Sequence, residues 1–250
     1  MALLEMTFLS KALKMEVPVN VILPEKTDAP SFKTLYLYHG LAGNHSEWIR
    51  NTNIERYAAK YGIAVVMPEV GRSWYSDTAY EAGYFTFITK ELPAVCQKFF
   101  RGMSASREDN LVAGISMGGY GAVKAALACP NQFCGCASLS GALDITRRGR
   151  PYILSEWKSI FGFDLETPLE LEGSEHDVFE LVRKNHANGE SFPKLYLWCG
   201  TEDKLLDMNR RFHDLLREED IPHCYEESSG GHAWDLWDQR IQAALAYLLD

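Results

Sequence analysis

The stretch Ala113-Gly114-Ile115-Ser116-Met117-Gly118-Gly119-Tyr120-Gly121 decides how this chain reads. An apolar run, Asn110–Ile115, leads into it. A small-residue segment, Met117–Ala128, follows and stops before Pro130. The run predicts a buried strand and the segment a helix, which puts Ser116 on the turn between them. Glycines at 114 and 118 flank the serine in a G-x-S-x-G pattern. A serine held in a tight strand-to-helix turn brings those neighbours very close, and only glycine leaves room. Strain of this kind is stored where chemistry happens, so Ser116 is the first candidate for a nucleophile.

The same alternation continues on both sides. Thr34–Tyr38 predicts a strand that ends at His39-Gly40. Ile63–Met67 is a continuous apolar run, which suits a parallel strand buried on both faces. Gly135–Leu139, Lys194–Trp198 and Cys224–Glu227 are further strand candidates. Helices are expected at Ile54–Tyr61, Tyr84–Phe100 with a break near Pro93, Phe212–Glu219 and Asp235–Leu249. Strands alternating with helices predict an α/β fold: a mostly parallel, doubly wound sheet covered on both faces. Upstream, Glu5–Ser10 and Glu16–Leu23 alternate around the polar Lys11–Lys14 and predict an antiparallel hairpin at the sheet edge. Pro18 fits an edge, because proline cannot donate to a ladder. Residues 143–191 break the pattern; about 50 residues between two strands predict a small cap or lid rather than one long loop. The chain 1–250 therefore reads as a single domain with a cap insertion at 143–191.

Composition narrows the function. Hydrophobic residues make up 46% and charged residues 24% of the 250 positions, which excludes a disordered or fibrous chain. A net charge of −9 disfavours nucleic acid and anionic membrane surfaces as partners. No apolar run approaches the ~20 residues that span a bilayer. Met1–Ser10 lacks a basic region and carries Glu5 inside its apolar stretch, so no signal peptide is expected. Cys96, Cys129, Cys134, Cys136, Cys199 and Cys224 form no C-x-x-C pair and no metal-type spacing with histidine. They read as reduced structural thiols in a cytoplasmic protein that needs neither metal nor organic cofactor.

A serine hydroxyl needs a base to take its proton. Among seven histidines, His232 is the best placed, in the small-residue loop Ser228-Ser-Gly-Gly-His-Ala-Trp234 that precedes the last helix. A loop there lets the imidazole reach the C-terminal edge of the sheet, where ligands bind in open α/β folds. A carboxylate should orient it. Asp203 follows the strand at Leu195–Trp198 and gives the chain order Ser, Asp, His; Glu202 and Asp207 are its rivals. The developing oxyanion needs preorganised N–H donors. Met117, directly after the serine, supplies one candidate; Leu41 in His39-Gly-Leu-Ala-Gly43 supplies the other, with Gly40 second. Trp48, Trp74, Tyr75 and Trp234 lie in motif loops expected to converge on the site, as substrate-binding candidates that would close an acyl pocket.

Taken together, these segments resemble the esterase D-like family of α/β-hydrolases, nearest its bacterial tributyrin esterase and acetylesterase branch. The resemblance is carried by Leu35–Trp48, Val65–Pro68, Ser73–Asp77, Glu91–Pro93, Ala113–Gly121, Gly200–Asp203 and Gly231–Trp234. It implies the α/β-hydrolase fold, a triad at Ser116, Asp203 and His232, and oxyanion amides at Leu41 and Met117. It also implies homo-oligomers. The expected activity is a serine carboxylesterase acting on short, acetyl-type acyl esters of small molecules, including carbohydrates, through an acyl-enzyme. The alternatives are a thioesterase of the S-formylglutathione hydrolase type, or a feruloyl esterase or acyltransferase.

Overall fold

The computed structural model describes residues 1–25, 30–147, 154–162 and 164–250. Eight strands form one sheet: β1 (Ala2–Ser10), β2 (Met15–Leu23), β3 (Thr34–Tyr38), β4 (Ala64–Pro68), β5 (Asn110–Ile115), β6 (Gly135–Leu139), β7 (Lys194–Gly200) and β8 (His223–Ser228). The helices among the described residues are α1 (Glu47–Asn51), α2 (Ile54–Tyr61), α3 (Tyr84–Thr86), α4 (Leu92–Phe99), α5 (Met117–Ala128), α6 (Leu154–Phe161), α7 (Val178–Ala187), α8 (Leu206–Glu218) and α9 (Trp234–Leu249).

The strand order is β1-β2-β4-β3-β5-β6-β7-β8. The first two ladders, β1–β2 and β2–β4, are antiparallel; every later ladder is parallel. This is the expected mostly parallel α/β-hydrolase sheet with an N-terminal antiparallel hairpin. The hairpin differs in one respect. β1 is the edge, whereas β2, which carries Pro18, is paired on both sides. Pro18 is tolerated because the β2–β4 ladder begins one residue later, at Val19↔Pro68.

Alternate side chains of each central strand enter opposite cores. Tyr36, Tyr38, Val66 and Val112 join the core under α5 and α8. Leu35, Leu37, Val65 and Ala113 join the core under α2 and α9. Burial on both faces explains why these strands read as unbroken apolar runs. β3 has β4 on one side and β5 on the other, so the chain reverses its winding direction between β3 and β5. The crevice at the C-terminal ends of β3 and β5 is thus the switch point where open α/β sheets bind ligands.

The helix expected at Tyr84–Phe100 is present, with a π-helical turn at Phe87–Glu91 between α3 and α4. Pro93 lies just after it, on the first turn of α4, and has no N–H to give the preceding turn. Within 143–191, the described residues form α6, a short 3₁₀ turn at Pro168–Leu171, and α7 capped by Asp177. Residues 148–153 and 163 of the expected cap lie outside the described residues.

Three of the four aromatic side chains expected at the cleft are core residues instead. Trp48 is 1% exposed, and its indole N–H donates to the Tyr38 carbonyl at 3.0 Å. Trp74 and Tyr75 are fully buried. They occupy consecutive positive-φ positions (53° and 50°), in a turn braced by Ser73 and Ser76. That turn drives both rings inward. Trp74 packs edge-on against Tyr120 and Trp157, while Tyr75 stacks on Tyr38 and donates its hydroxyl to the His39 carbonyl. Trp74 thereby ties the nucleophile-side helix α5 to α6. Trp74→Ala should cost about 3–5 kcal/mol of unfolding free energy in a denaturant titration, as expected when a large core aromatic is removed. A loss under about 0.5 kcal/mol, the range of surface changes, would contradict this core role.

Candidate active site

Ser116 stands at the end of β5 with φ 53° and ψ −117°, the strained turn predicted for it. Its backbone is fixed from three sides. Its N–H donates to Leu139 O (3.0 Å), and its carbonyl accepts from Tyr120 N (3.1 Å) and Ala142 N (3.0 Å). The flanking glycines are required by contact. A β-carbon at Gly114 would collide with the Gly118 carbonyl, and one at Gly118 would lie 2.5 Å from Tyr38 O and 2.6 Å from His39 O. α5 therefore starts close against the ends of β3 and β5. Met117 is its first residue, so its N–H is one of those no intrahelical carbonyl takes.

The loop after β3 lies opposite. The His39 ring is buried and bridges two backbone groups, Gly40 O at 2.8 Å from Nδ1 and Val70 N at 3.2 Å from Nε2. Those partners assign Nδ1–H as donor and Nε2 as acceptor, a neutral ring. Burial lowers its pKa, in agreement. Gly40 O also accepts from Gly43 N at 3.0 Å. With that carbonyl held, the planar trans peptide turns Leu41 N–H the opposite way.

Asp203 and His232 meet across the ends of β7 and β8. His232 Nδ1 is 2.8 Å from Asp203 Oδ2. The Asp203 side chain is fully buried and the His232 side chain is 36% exposed, so the ring keeps an open edge. Asp203 Oδ1 accepts from Leu205 N at 2.9 Å. Burial pushes the Asp203 carboxyl up, but hydrogen bonds from His232, Leu205 N and Ser140 outweigh it and hold the carboxyl below its ordinary value. Its rivals are engaged elsewhere: Glu202 takes the Gly230 N–H and the Thr201 hydroxyl, and Asp207 pairs with Arg211.

Ser116 and His232 line one pocket of about 320 Å³, together with Gly40, Leu41, Ala42, Gly43, Glu47, Ile115, Trp234 and Trp237. Trp234 is thus the one substrate-binding candidate that reaches the pocket. Two lining residues were absent from the sequence expectation. Trp237 packs edge-on to His232 (ring centroids 4.8 Å apart) and donates to Ser140 Oγ at 3.1 Å. Its signal is the Trp234-x-x-Trp237 spacing, one helical turn on the same face. Glu47 follows the HGLAG loop within the Leu35–Trp48 segment, but no role for its side chain was read from that segment. The described residues of 143–191 do not appear in this lining.

A strained serine, a carboxylate-anchored histidine and two candidate amides around one pocket are the parts of a serine hydrolase. The chain matches the model of the Putative esterase family over residues 10–248, and it belongs to that family. It is a carboxylic ester hydrolase of the α/β-hydrolase fold. It is 34% identical to an acetyl esterase of Caldicellulosiruptor saccharolyticus, over 99% of this chain and 98% of that protein. It is 33% identical to FphF, a fluorophosphonate-binding serine hydrolase of Staphylococcus aureus, with a TM-score of 0.90 over 100% of this chain and 98% of that one. It is 32% identical to an S-formylglutathione hydrolase (FrmB) of Staphylococcus aureus, with a TM-score of 0.87, covering 100% and 99% of the two chains. No helix among the described residues is long and apolar enough to cross a membrane.

The lowered Asp203 pKa carries a pH signature. A depressed carboxyl contributes stability that is present above its unfolded pKa of about 4 and lost as pH falls through the folded value. The Tm advantage of the native protein over Asp203→Asn should therefore be largest near neutrality and shrink below about pH 4. A Tm gap that stays constant down to pH 3 (about one unit below the free carboxyl) would contradict the assignment.

Proposed function

We propose that Ser116, His232 and Asp203 act as a catalytic triad in hydrolysing short-chain acyl esters. The hydrogen bond that anchors His232 to buried Asp203, with the His232 ring lining the pocket of the strained Ser116, is the observation that carries this reading. Ser116 Oγ attacks the ester carbonyl as its proton passes to His232 Nε2. Asp203 holds Nδ1–H in place and offsets the imidazolium charge. The carbonyl oxygen becomes an oxyanion facing the N–H groups of Leu41 and Met117. Collapse breaks the bond to the alcohol, which leaves with the proton from His232. Water, deprotonated in turn by His232, then releases the acid and restores Ser116.

A small pocket walled by Leu41, Ile115, Trp234 and Trp237 supports short acyl groups. Similarity to an acetyl esterase supports the same class. A thioesterase reading is favoured by the similarity to the S-formylglutathione hydrolase. The free cysteines are consistent with a reducing, cytoplasmic setting, and no organic cofactor enters this mechanism. We read 143–191 as a cap on a single 1–250 domain, because Trp157 of α6 and the α7 side chains Val178 and Val182 pack into the core under α5. Family resemblance implies self-association, which light scattering on the purified protein reads directly.

Ser116→Ala should lower kcat on p-nitrophenyl acetate by on the order of 10⁴-fold or more, with the circular dichroism spectrum unchanged. A folded variant that keeps a tenth of the native rate would sink the assignment. On p-nitrophenyl esters of increasing acyl length, kcat/KM should peak at about two to four carbons and fall at least about tenfold by eight, since each unfitted methylene costs about 1–3 kcal/mol. A maximum at eight carbons would reject the short-acyl reading. S-formylglutathione turned over a hundredfold faster than acetyl esters (about 2.7 kcal/mol in transition-state binding) would establish the thioesterase reading instead.

A further inference from the structure

Glu47 is the first residue of α1, and its side chain reaches back to Gly43, the end of the turn that carries the candidate oxyanion amide of Leu41. Its carboxylate lies against Gly43, so closely that a β-carbon at that position would collide with it. Both residues line the pocket of Ser116 and His232. The other walls are Leu41, Ala42, Ile115, Trp234 and Trp237, and Glu47 is the sole carboxylate among the lining residues. Neighbouring acids are held: Glu69 takes His45 and the backbone of His45 and Gly71, and Asp203 takes His232. Among the described residues, no hydrogen bond or ion pair engages the Glu47 carboxylate. Burial raises its pKa, Glu69 adds to that, and Arg50 offsets part of it.

A half-buried carboxylate with spare acceptor capacity is costly unless something entering the pocket donates to it. The Glu47 oxygens are open to the pocket, so a ligand that fills it displaces their solvent and must bring donors of its own. An acyl group of about two to four carbons has no hydroxyl, which leaves the alcohol part of the ester as the source of donors. Two carboxylate oxygens in a pocket that two indole rings also line suit a ring or chain bearing neighbouring hydroxyls. A full cation would also satisfy the charge, but it would have to shed its hydration against apolar walls. A second carboxylate or a phosphate would face repulsion from the same charge.

We propose that Glu47 selects the alcohol part of the substrate, accepting hydrogen bonds from the hydroxyls of a neutral polyhydroxylated alcohol and excluding anionic esters. This rests on the serine esterase reading of the same pocket. The test is kcat/KM for four acetate esters: glycerol monoacetate, butyl acetate, acetylcholine and 3-acetoxypropanoate. They are measured with the native enzyme, Glu47→Gln and Glu47→Leu. The ratio of glycerol monoacetate to butyl acetate should fall about tenfold in Glu47→Leu and less in Glu47→Gln, whose amide oxygen still accepts. The ratio of 3-acetoxypropanoate to butyl acetate should rise about tenfold in both variants, because both lose the charge. The Gln variant preserves size and shape, so a poorly folded Leu variant leaves the second ratio decisive. Ratios that stay within about twofold (under 0.5 kcal/mol) across the three proteins would overturn the proposal. So would a native preference for acetylcholine that collapses in Glu47→Gln, since that outcome assigns the site to a cation. Loss of acetate hydrolysis in the native enzyme, or its survival in Ser116→Ala, would instead sink the esterase reading itself.

Discussion

The close approach of α5 to the ends of β3 and β5 is the constraint on which the site depends. Gly114 has no room for a β-carbon because Gly118 O is there, and Gly118 has none because the carbonyls of Tyr38 and His39 are there. Two separate strand ends and one helix start are thereby locked together around Ser116. The cost is a serine at φ 53°. It is offset by three backbone hydrogen bonds at that residue and by the buried α5 face beneath. The same contact brings the start of α5, with Met117, against the strand end that leads into Gly40–Leu41. In the proposed mechanism, the N–H groups of Leu41 and Met117 are fixed by the backbone before the oxyanion forms.

Sheet topology brings the remaining groups to that point. The winding reverses between β3 and β5, and β6, β7 and β8 follow in order beyond β5. Each loop at the C-terminal end of these strands therefore faces the crevice. Ser140, after β6, receives the indole N–H of Trp237 and helps hold the carboxyl of Asp203, after β7, below its ordinary value. Asp203 in turn faces His232, after β8. Three consecutive parallel strands thus deliver a connected chain of polar groups to the pocket. Asn209, fully buried on α8, ties the loop after β6 to the loop after β7 through Gly141 O and Leu205 O.

Much of this was legible in residue order. Glycine punctuation around Ser116, the apolar runs of β4 and β5, and the Gly-rich loop before α9 are local signals with a physical cause. Local signals therefore located the sheet, the elbow and the Asp203–His232 pair. The aromatic residues were not legible, because a ring in a loop reads the same whether it faces solvent or core. Only the backbone decides, and at Trp74 and Tyr75 two consecutive left-handed residues turn both rings inward. Trp48 is drawn in by a partner ten residues earlier, the Tyr38 carbonyl. Glu47 and Trp237 were also missed. The place of Glu47 depends on how α1 packs, which no short spacing encodes, whereas Trp237 could have been read from its position one helical turn after Trp234. β1 extends to Ala2 because its alternating face pairs with β2 throughout.

The central claim is that one strained serine is activated by a histidine held on a buried aspartate. Mapping a fluorophosphonate adduct by peptide mass spectrometry tests it most directly. The account predicts a single adduct on Ser116, with a labelling rate that drops on the order of 10³-fold or more in His232→Ala. An adduct on any other residue, or a labelling rate indifferent to His232, would contradict it.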